Sequence, residues 1–369
     1  MKKLVKLKRN LLLLLLPLSF GLLELTKHNS WFAEEVFAKR IYHYLSIILS
    51  NFFGIFPYSV AEFFIILAPI ALTIIFIFFL LHIIRSKGRR HIVISKGIIN
   101  ILCGVSIGFF LYTIGCGINY YRYPFSYYSK LTILKSTEEE LQELCFSLAN
   151  QANELRDQII SVDEELVYKS SYDDWELSNK VKEAYNECAK EYPILSGYYA
   201  RTKPVVFSRI LSKMEITGIF IPFTMEANVN VDIPDYSIAS TMAHEMSHVR
   251  GFMREDEANY ISYLVCMASD SVEIKYSGIM QALIISGNAL YARNASLYRE
   301  VSAMYNDGVR RDLNANSIYW EQFENTIVSN TAEKINNAYL QANNQQDGVQ
   351  SYGRMVDLLL AEYRTKKNG

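Results

Sequence analysis

The sequence lacks the residues on which several classes of protein depend. Only five of its 369 residues are cysteine, and no two of them are spaced as C-x-x-C. This gives no support to a disulfide-stapled miniprotein, a cysteine zinc site or a redox motif. No basic stripe is interleaved with aromatic residues, so nucleic acid is not expected as a partner. Apolar residues make up 50% of the chain and charged residues 20%, which excludes a disordered protein.

Charge is unevenly distributed along the chain, although the net charge is only −1. Residues 1–118 contain 13 Lys and Arg against 4 Asp and Glu, a balance of +9, and residues 119–369 contain 24 against 34, a balance of −10. The stretch 120–130, YYRYPFSYYSK, is aromatic and cationic, as is typical where a helix leaves a bilayer. We therefore predict a membrane domain over residues 1–119 and an extracytoplasmic domain over residues 120–369.

Three apolar runs predict membrane-spanning helices. Phe63–Ile84 and Gly97–Ile118 are uncharged, and each is long enough to cross a hydrocarbon core of about 30 Å. The shorter run Leu11–Leu23 follows a basic N-terminus, so it is either an uncleaved signal anchor or the core of a cleaved signal peptide. Because no small-x-small cleavage site follows it, we favour the anchor. The predicted spans are about 10–26, 63–84 and 97–118.

The basic residues predict the orientation of these spans. Lys and Arg are concentrated in residues 1–9 and in the loop 85–96, which places both on the cytoplasmic side of a multi-pass cell-membrane protein. With three spans, the domain after residue 120 lies on the other side. Residues 30–50 carry apolar side chains at helical spacing. They predict an amphipathic outer helix that either lies on the lipid surface or packs on the spans.

The second part of the chain predicts a mostly helical α+β domain. The sequence STEEE at 136–140 is an N-cap followed by first-turn acids, and a second helix is predicted from about Asp173 to Tyr192. Residues 204–234 are β-branched and aromatic and are interrupted by Gly and Pro, which predicts two or three short strands before a return to helices. Cys145 and Cys188, one on each early helix, are the pair best suited to a disulfide, with buried free thiols as the alternative.

Residues 242–260, MAHEMSHVRGFMREDEANY, contain a motif that is typical of metal-binding sites. His244, Glu245 and His248 form H-E-x-x-H, and this spacing on a helix places both imidazoles on one face, within reach of a single ion. Glu245 then points at the open coordination position. These two histidines are the only ones after Ile118. The motif therefore predicts a metal site on a helix that ends near Gly251.

The third ligand must come from an acidic residue. A catalytic zinc needs three protein ligands and an exchangeable water, and the domain offers no third histidine. We favour Glu255 over Glu257, whose alternative role is a salt bridge to Arg250 or Arg254. Asn259, one turn after Glu255, is predicted to accept a hydrogen bond from one imidazole and fix its tautomer.

These motifs resemble known proteins. H-E-x-x-H followed by E-x-x-A-N at Glu255, Ala258 and Asn259 is similar to the glutamate-zincin metallopeptidases. The segments ITGIFIPFTMEANVN, HEMSHVRGFMREDEAN and YLQANNQQDGVQSYGRMVDLL resemble an uncharacterised family of bacterial membrane proteins, domain of unknown function 3810. The resemblance covers most of the chain and implies a zincin-like metallopeptidase fold behind membrane spans, with no known substrate. Two departures are the short spacing between His248 and Glu255 and an asparagine at 259, where many glutamate zincins have aspartate.

The expected function is that of a membrane-anchored zinc metallopeptidase that binds one Zn²⁺ per chain and uses Glu245 as the general base. Its expected partners are the lipid bilayer and an extracytoplasmic peptide or protein substrate. Tyr352 or Arg354 is predicted to stabilise the oxyanion, and Asn228 and Asn230 are predicted to contact the substrate backbone beside a strand edge. The alternatives are a sensor or assembly factor that binds a partner without significant cleavage, and a structural protein whose two histidines stabilise a helix interface.

Overall fold

The computed structural model describes residues 9–345, 348 and 354–368, and its N-terminal part is a group of helices. A 3₁₀ turn (Leu12–Leu14) leads into α1 (Leu15–His28), a π-helix (Phe32–Tyr42), α2 (His43–Gly54), α3 (Val60–Arg85) and α4 (Arg90–Gly115). Within the described residues, three helices are long and apolar enough to cross a membrane: Arg9–His28, Val60–Arg85 and Arg90–Gly115. The prediction of three such helices is confirmed. Their orientation and the cleavage of the first one stay predictions.

The third of these helices ends at Gly115, before the predicted boundary at Ile118, and continues as a 3₁₀ turn, Gly117–Tyr121. Gly115 lies directly against the C-terminal part, because a Cβ atom at this position would be 2.9 Å from the carbonyl oxygen of Pro222. The helix therefore stops where it meets the rest of the protein. The domain boundary at residue 119/120 stays a prediction.

The segment from 32 to 55 has one face against the protein and one exposed apolar face. Ala33, Phe37 and Tyr42 are buried and pack with residues of the C-terminal part such as Met225. The exposed face consists of Ile41, Tyr44, Ile48, Phe52 and Ile55. This segment is thus a helical structure that packs on the protein through one side, and contact of its other side with lipid stays a prediction.

The C-terminal part is mostly helical. Its elements are α5 (Phe125–Ser129), α6 (Glu138–Asp157), α7 (Asp174–Glu191), a 3₁₀ turn (Pro193–Leu195), β1 (Lys203–Pro204), α8 (Ser208–Lys213), β2 (Gly218–Ile221), β3 (Glu226–Val229), α9 (Asp235–Val249), α10 (Glu255–Met267), α11 (Val272–Arg293), α12 (Ala295–Ala303), α13 (Asp307–Glu321), α14 (Ile327–Ala342) and α15 (Met355–Asn368). Local sequence starts two of these helices. Thr137 and Glu140 form a capping box for α6, and Asp173 accepts hydrogen bonds from two backbone amides at the start of α7.

The sheet has three short strands in the order β1-β3-β2. β1 is parallel to β3, with Lys203 opposite Asn228, and β2 is antiparallel to β3, with Gly218 opposite Val229. The predicted number of strands before the motif helix is thus correct. Because β3 is central, β2 is an edge strand, and among the described residues no strand pairs with its other side.

Helices α9, α10 and α11 pack on one another, and α9 also packs on α7, β2 and β3. From Ile238 to Val249 every residue of α9 is buried. The motif helix is therefore a central element of the core, and its polar side chains need partners inside the protein.

The predicted disulfide is not present. Cys145 and Cys188 are buried free thiols, and burial raises the pKa of each to about 12. The two side chains have different surroundings. Cys145 lies close enough to Tyr305 to affect its pKa, whereas Cys188 affects that of Cys266. Helical periodicity places each cysteine on an inward face, but it does not determine which other residue it meets there.

A buried ion pair joins the sheet to α3, one of the three long apolar helices. The Glu226 carboxylate on β3 accepts hydrogen bonds from the first backbone amides of α3, Val60 N at 3.0 Å and Ala61 N at 2.8 Å, and it also pairs with Lys203. A carboxylate at a helix N-terminus satisfies amides that have no partner within the helix. The start of α3 is thereby attached to the strand that borders α9.

Candidate metal centre

Tyr185 helps to fix helix α9 at the position of its histidines. Its buried hydroxyl donates to the carbonyl oxygen of Ala243 at 2.6 Å and lies 2.6 Å from Ser247 Oγ. The rings of His244 and His248 project from the same face of α9, and their Nε2 atoms are 3.0 Å apart. Only 9% and 7% of these two residues is exposed. The i, i+4 spacing therefore brings both imidazoles to one point, as the motif predicts.

A sharp turn after α9 brings the carboxylate to the same point. Gly251 has φ +86, a conformation that other residues rarely adopt, and it ends the helix. The chain then reverses and α10 begins at Glu255. Glu255 Oε2 lies 3.0 Å from His244 Nε2 and 3.6 Å from His248 Nε2. One ligand atom from each of the three residues lies within 4.8 Å of the others, so the group could hold a metal ion.

Each imidazole is also held through its second nitrogen. His244 Nδ1 lies 2.7 Å from Asn259 Oδ1, and His248 Nδ1 lies 2.8 Å from the carbonyl oxygen of Phe252. Both acceptors require an N–H on Nδ1, which leaves the two Nε2 atoms for a ligand. Gln281 on α11 donates to Asn259 Oδ1 at 3.2 Å and orients that amide. The structure thus brings Asn259 to the imidazole.

Glu245 lies beside the group and has an unused oxygen. Its side chain is buried, and its Oε2 has no hydrogen-bond partner among the described residues. Gly218 on the edge strand β2 faces it, because a Cβ atom there would be 2.5 Å from Glu245 Oε1. Burial raises the pKa of Glu245, and the imidazoles oppose this. The Glu245 carboxylate therefore lies against β2 at Gly218 and close enough to both imidazoles for their charge to affect its pKa.

The pKa values of His248 and Glu255 depend strongly on each other. Burial by itself lowers the pKa of His248, but the charge and hydrogen bond of Glu255 raise it to about 9. Burial raises the pKa of Glu255, yet the charges of His248 and His244 lower it to about 2. A buried carboxylate beside two imidazoles thus requires a positive charge, which either a proton or a metal ion can provide.

The donor set fits zinc. Two imidazole nitrogens and one carboxylate oxygen converge on one point, as in catalytic zinc sites that keep a fourth position for water. The unpartnered Oε2 of Glu245 provides an acceptor for that water beside the three ligands. The residues present therefore suit a divalent ion with one open coordination position.

Glu257, the alternative third ligand, faces elsewhere. Its Oε1 accepts a hydrogen bond from the backbone amide of Phe125 at 2.8 Å and lies 2.7 Å from Arg254 Nη2. It thus belongs to a structural contact between α10 and α5. The salt bridge to Arg254 is the alternative role foreseen for it.

The structure gives the two asparagines of β3 and the following turn internal partners. Asn228 Nδ2 donates to the carbonyl oxygens of Ile219 and Glu226, and its Oδ1 is buried without a hydrogen-bond partner. Asn230 is fully buried and donates to Ser212 Oγ and to the carbonyl oxygen of Ile216. Asn230 therefore holds the turn before β2, and substrate contact by either residue stays a prediction.

Of the two residues predicted to stabilise an oxyanion, Tyr352 lies outside the described residues. Arg354 is close to the start of α15, and its Nε is 3.8 Å from Asp256 Oδ2. Tyr120, which the sequence argument did not select, is close enough to Glu255 for the carboxylate charge to add to the effect of burial and raise its pKa. Its hydroxyl donates to that of Tyr339 at 3.2 Å.

Tyr42 of the N-terminal part and Arg122, which lies just after the predicted domain boundary, support the turn after α9, and sequence reasoning missed both of them. Tyr42 donates to the carbonyl oxygens of His248 at 3.1 Å and Val249 at 3.2 Å. Arg122 donates to the carbonyl oxygen of Arg250 and forms a buried bidentate pair with Glu34, both bonds 2.8 Å long. A lone arginine among aromatic residues was the available signal, but the sequence does not tell which carboxylate it meets.

Comparison with known proteins gives one match. A family model described as "Protein of unknown function (DUF3810)" matches residues 37–360, which is most of the chain and includes the whole metal group. No curated protein and no solved structure matches. The chemistry of the group must therefore be inferred from its own residues.

Proposed function

We propose that this chain, which belongs to the DUF3810 family, is a membrane-anchored zinc metallopeptidase. The observation that carries the proposal is the position of Glu245. A buried carboxylate with an unused oxygen lies beside two imidazoles and a second carboxylate, and these last three groups could hold a metal ion. A site that only binds metal has no need of such a group, whereas a hydrolase requires a base at that place.

In this proposal His244, His248 and Glu255 hold one zinc ion per chain. A bound zinc polarises the carbonyl of the scissile peptide bond and lowers the pKa of a water molecule. Glu245 accepts the proton of the attacking water and then donates it to the leaving amine. Burial raises the pKa of this carboxylate, which makes it a better proton acceptor than an exposed glutamate.

The edge strand β2 supports binding of an extended peptide. It has one unpaired side, and its Gly218 lies against Glu245. A peptide that pairs with this edge passes close to the carboxylate, held by backbone hydrogen bonds that do not depend on its sequence. Stabilisation of the oxyanion by Tyr352 or Arg354 remains a prediction. Tyr120 is a third candidate for this role.

We also propose that the metal centre lies on the extracytoplasmic side of the cell membrane. The excess of Lys and Arg in the N-terminus and in the loop 85–96 supports this orientation. The substrate is then an extracytoplasmic peptide or protein.

Replacing Glu245 with glutamine is expected to reduce kcat for peptide hydrolysis by about 10²- to 10⁴-fold, the usual contribution of a general base. Zinc content is expected to stay at about one ion per chain, because the three ligands are unchanged. The full chain in detergent is incubated with a peptide library, and the products are identified by mass spectrometry. The control is E183Q, the same change at an exposed position on α7.

Each outcome of that experiment discriminates between functions. Cleavage that persists in the E245Q variant would show that Glu245 is not the base. A zinc-loaded parent chain that cleaves no peptide in the library would favour the sensor or assembly factor. A well-folded parent chain that binds no zinc would favour the structural role.

Replacing Asn259 with alanine is expected to weaken zinc binding by about 10- to 100-fold, because His244 loses the acceptor that fixes its tautomer. The N259D variant keeps an acceptor and should retain most of the affinity. Competition with a chromophoric chelator measures the zinc affinity of both variants. Equal affinity in N259A and the parent would contradict the proposed role of this amide.

A further inference from the structure

A cavity of about 660 Å³ lies between the turn that precedes β2 and helices α11 to α13. Leu283 and Ile284 on α11 and Leu313 on α13 provide apolar walls. Tyr298 and Trp320 add aromatic rings. Its volume is large enough for a long side chain, and its lining is mixed rather than uniformly apolar.

Two residues of the cavity lining are close along the chain to residues that contact the metal group. Thr217 lines it and directly precedes Gly218, whose position faces Glu245. On the opposite side, Ile284 lies one helical turn after Gln281, which donates to Asn259. Consecutive Cα atoms are only about 3.8 Å apart, so the backbone at Thr217, which lines the cavity, is one residue from the position that faces Glu245.

The charges of the cavity favour a cation. Glu215 and Glu324 line it and are exposed, so both carboxylates can meet a charged group at the rim. No lysine or arginine is among the described residues that line it. The side chain of Lys or Arg combines a long apolar stem with a charged end. The stem matches the leucine and isoleucine walls, and the charged end matches the aromatic rings and the carboxylates.

One glycine keeps an aromatic wall close to α11. A Cβ atom at Gly287 would lie 3.1 Å from the ring of Tyr298, so the absence of a side chain allows this ring to pack against the helix. On the other wall, Trp320 Nε1 donates to Asn316 Oδ1 at 3.1 Å. The aromatic rings are thus held in place before any ligand enters.

We propose that this cavity is a specificity pocket for a lysine or arginine side chain of the peptide substrate, next to the cleaved bond. The inference rests on the proposed function and names the substrate class of the same site. A peptide with a basic residue at this position is expected to bind at least tenfold more tightly than one with an uncharged residue of the same shape.

The test compares N-acetyl-argininamide with N-acetyl-citrullinamide, which has nearly the same shape and no charge. Both are titrated by ligand-observed NMR into the zinc-loaded full chain carrying E245Q, so that turnover plays no part. We expect the arginine compound to bind at least tenfold more tightly. This difference should disappear in a chain that also carries E215Q and E324Q. Both glutamates are exposed and outside the metal centre, and unchanged zinc content will show that the site is intact.

The outcomes separate this inference from the proposed function. Equal binding of the two compounds, or a preference that survives the glutamine substitutions, would overturn the pocket. If the parent chain cleaves peptides without regard to basic residues, the peptidase proposal is supported and the pocket proposal is wrong. A third outcome is an arginine preference that the two glutamine substitutions abolish, together with a parent chain that cleaves no peptide. The cavity would then bind basic side chains, and only the peptidase proposal would fail.

Discussion

Replacing His244 with alanine is expected to reduce bound zinc from about one ion per chain to a small fraction of that value. The imidazole provides one of three ligand atoms that lie within 4.8 Å of one another. The two that remain, from His248 and Glu255, fall short of the three protein ligands that catalytic zinc sites use. Peptidase activity should disappear with the metal.

The same group predicts how zinc binding depends on pH. Without metal, Glu255 holds the pKa of His248 at about 9, so near neutral pH the group carries a proton that zinc must displace. Because this folded-state pKa is raised, the proton is bound below pH 9 and lost above it. The apparent zinc affinity should therefore rise about tenfold per pH unit between pH 6 and 8, with release of about one proton per zinc ion.

Mass spectrometry of the purified full chain measures the metal content, and calorimetry in buffers of different ionisation enthalpy measures the released proton. The control is H91A, because His91 is an exposed histidine far along the chain from the group. Zinc that remains at parent level in H244A would mean that the metal is bound elsewhere. In that case the assignment of the centre to α9 and α10 would be wrong.

Replacing Arg122 with alanine is expected to destabilise the folded chain by about 3–5 kcal/mol. Only 4% of the Arg122 side chain is exposed, and the Glu34 carboxylate is fully buried. Burial raises the pKa of Glu34, but the hydrogen bonds and charge of Arg122 lower it below its ordinary value. Without the guanidinium, a buried carboxylate is left without its partner.

The loss of the Arg122 side chain should also affect the metal centre. Arg122 donates to the carbonyl oxygen of Arg250 and lies 4.2 Å from the centre of the Phe252 ring, and the carbonyl oxygen of Phe252 orients His248. We therefore expect R122A to weaken zinc binding although Arg122 is not a ligand. A double variant, E34Q with R122M, leaves no unpaired charge and should recover part of the stability.

Thermal and denaturant unfolding of the full chain in detergent measure the effect. The control is K190A, which removes an exposed partner of Glu187 and should change the unfolding free energy by less than about 1 kcal/mol. A similarly small change in R122A would show that the buried pair adds little to stability.

Local features of the site could be predicted from the sequence because their physical basis is local. The spacing of His244 and His248 on one helix determines that their rings meet, and Gly251 ends that helix. The choice of Glu255 over Glu257 followed from a short turn and a helical face. These contacts lie on one helix or on two consecutive helices joined by a short turn, so periodicity and capping rules describe them well.

Contacts between distant segments could not be predicted in this way. Tyr42 meets the carbonyl oxygens at the end of α9, and Gly218 meets Glu245, because separate elements pack together. The suggested pair of Cys145 and Cys188 failed for the same reason. The internal partners of Asn230, Ser212 and the carbonyl oxygen of Ile216, could not be foreseen from its polarity, and its predicted contact with substrate stays a prediction.

In the proposed membrane-anchored peptidase, the contact between Gly115 and Pro222 limits the distance between the end of α4 and the metal centre. Pro222 follows β2 directly, and a strand rises about 3.3 Å per residue, so Gly218 is at most about 14 Å from it. With the contacts at both ends, the Glu245 carboxylate lies within roughly 25 Å of the last residue of α4. A second protein anchored in the same bilayer could reach the metal centre with about eight extended residues beyond its own membrane segment. Such a neighbour would be presented at a high effective concentration, an advantage that a freely diffusing peptide does not have.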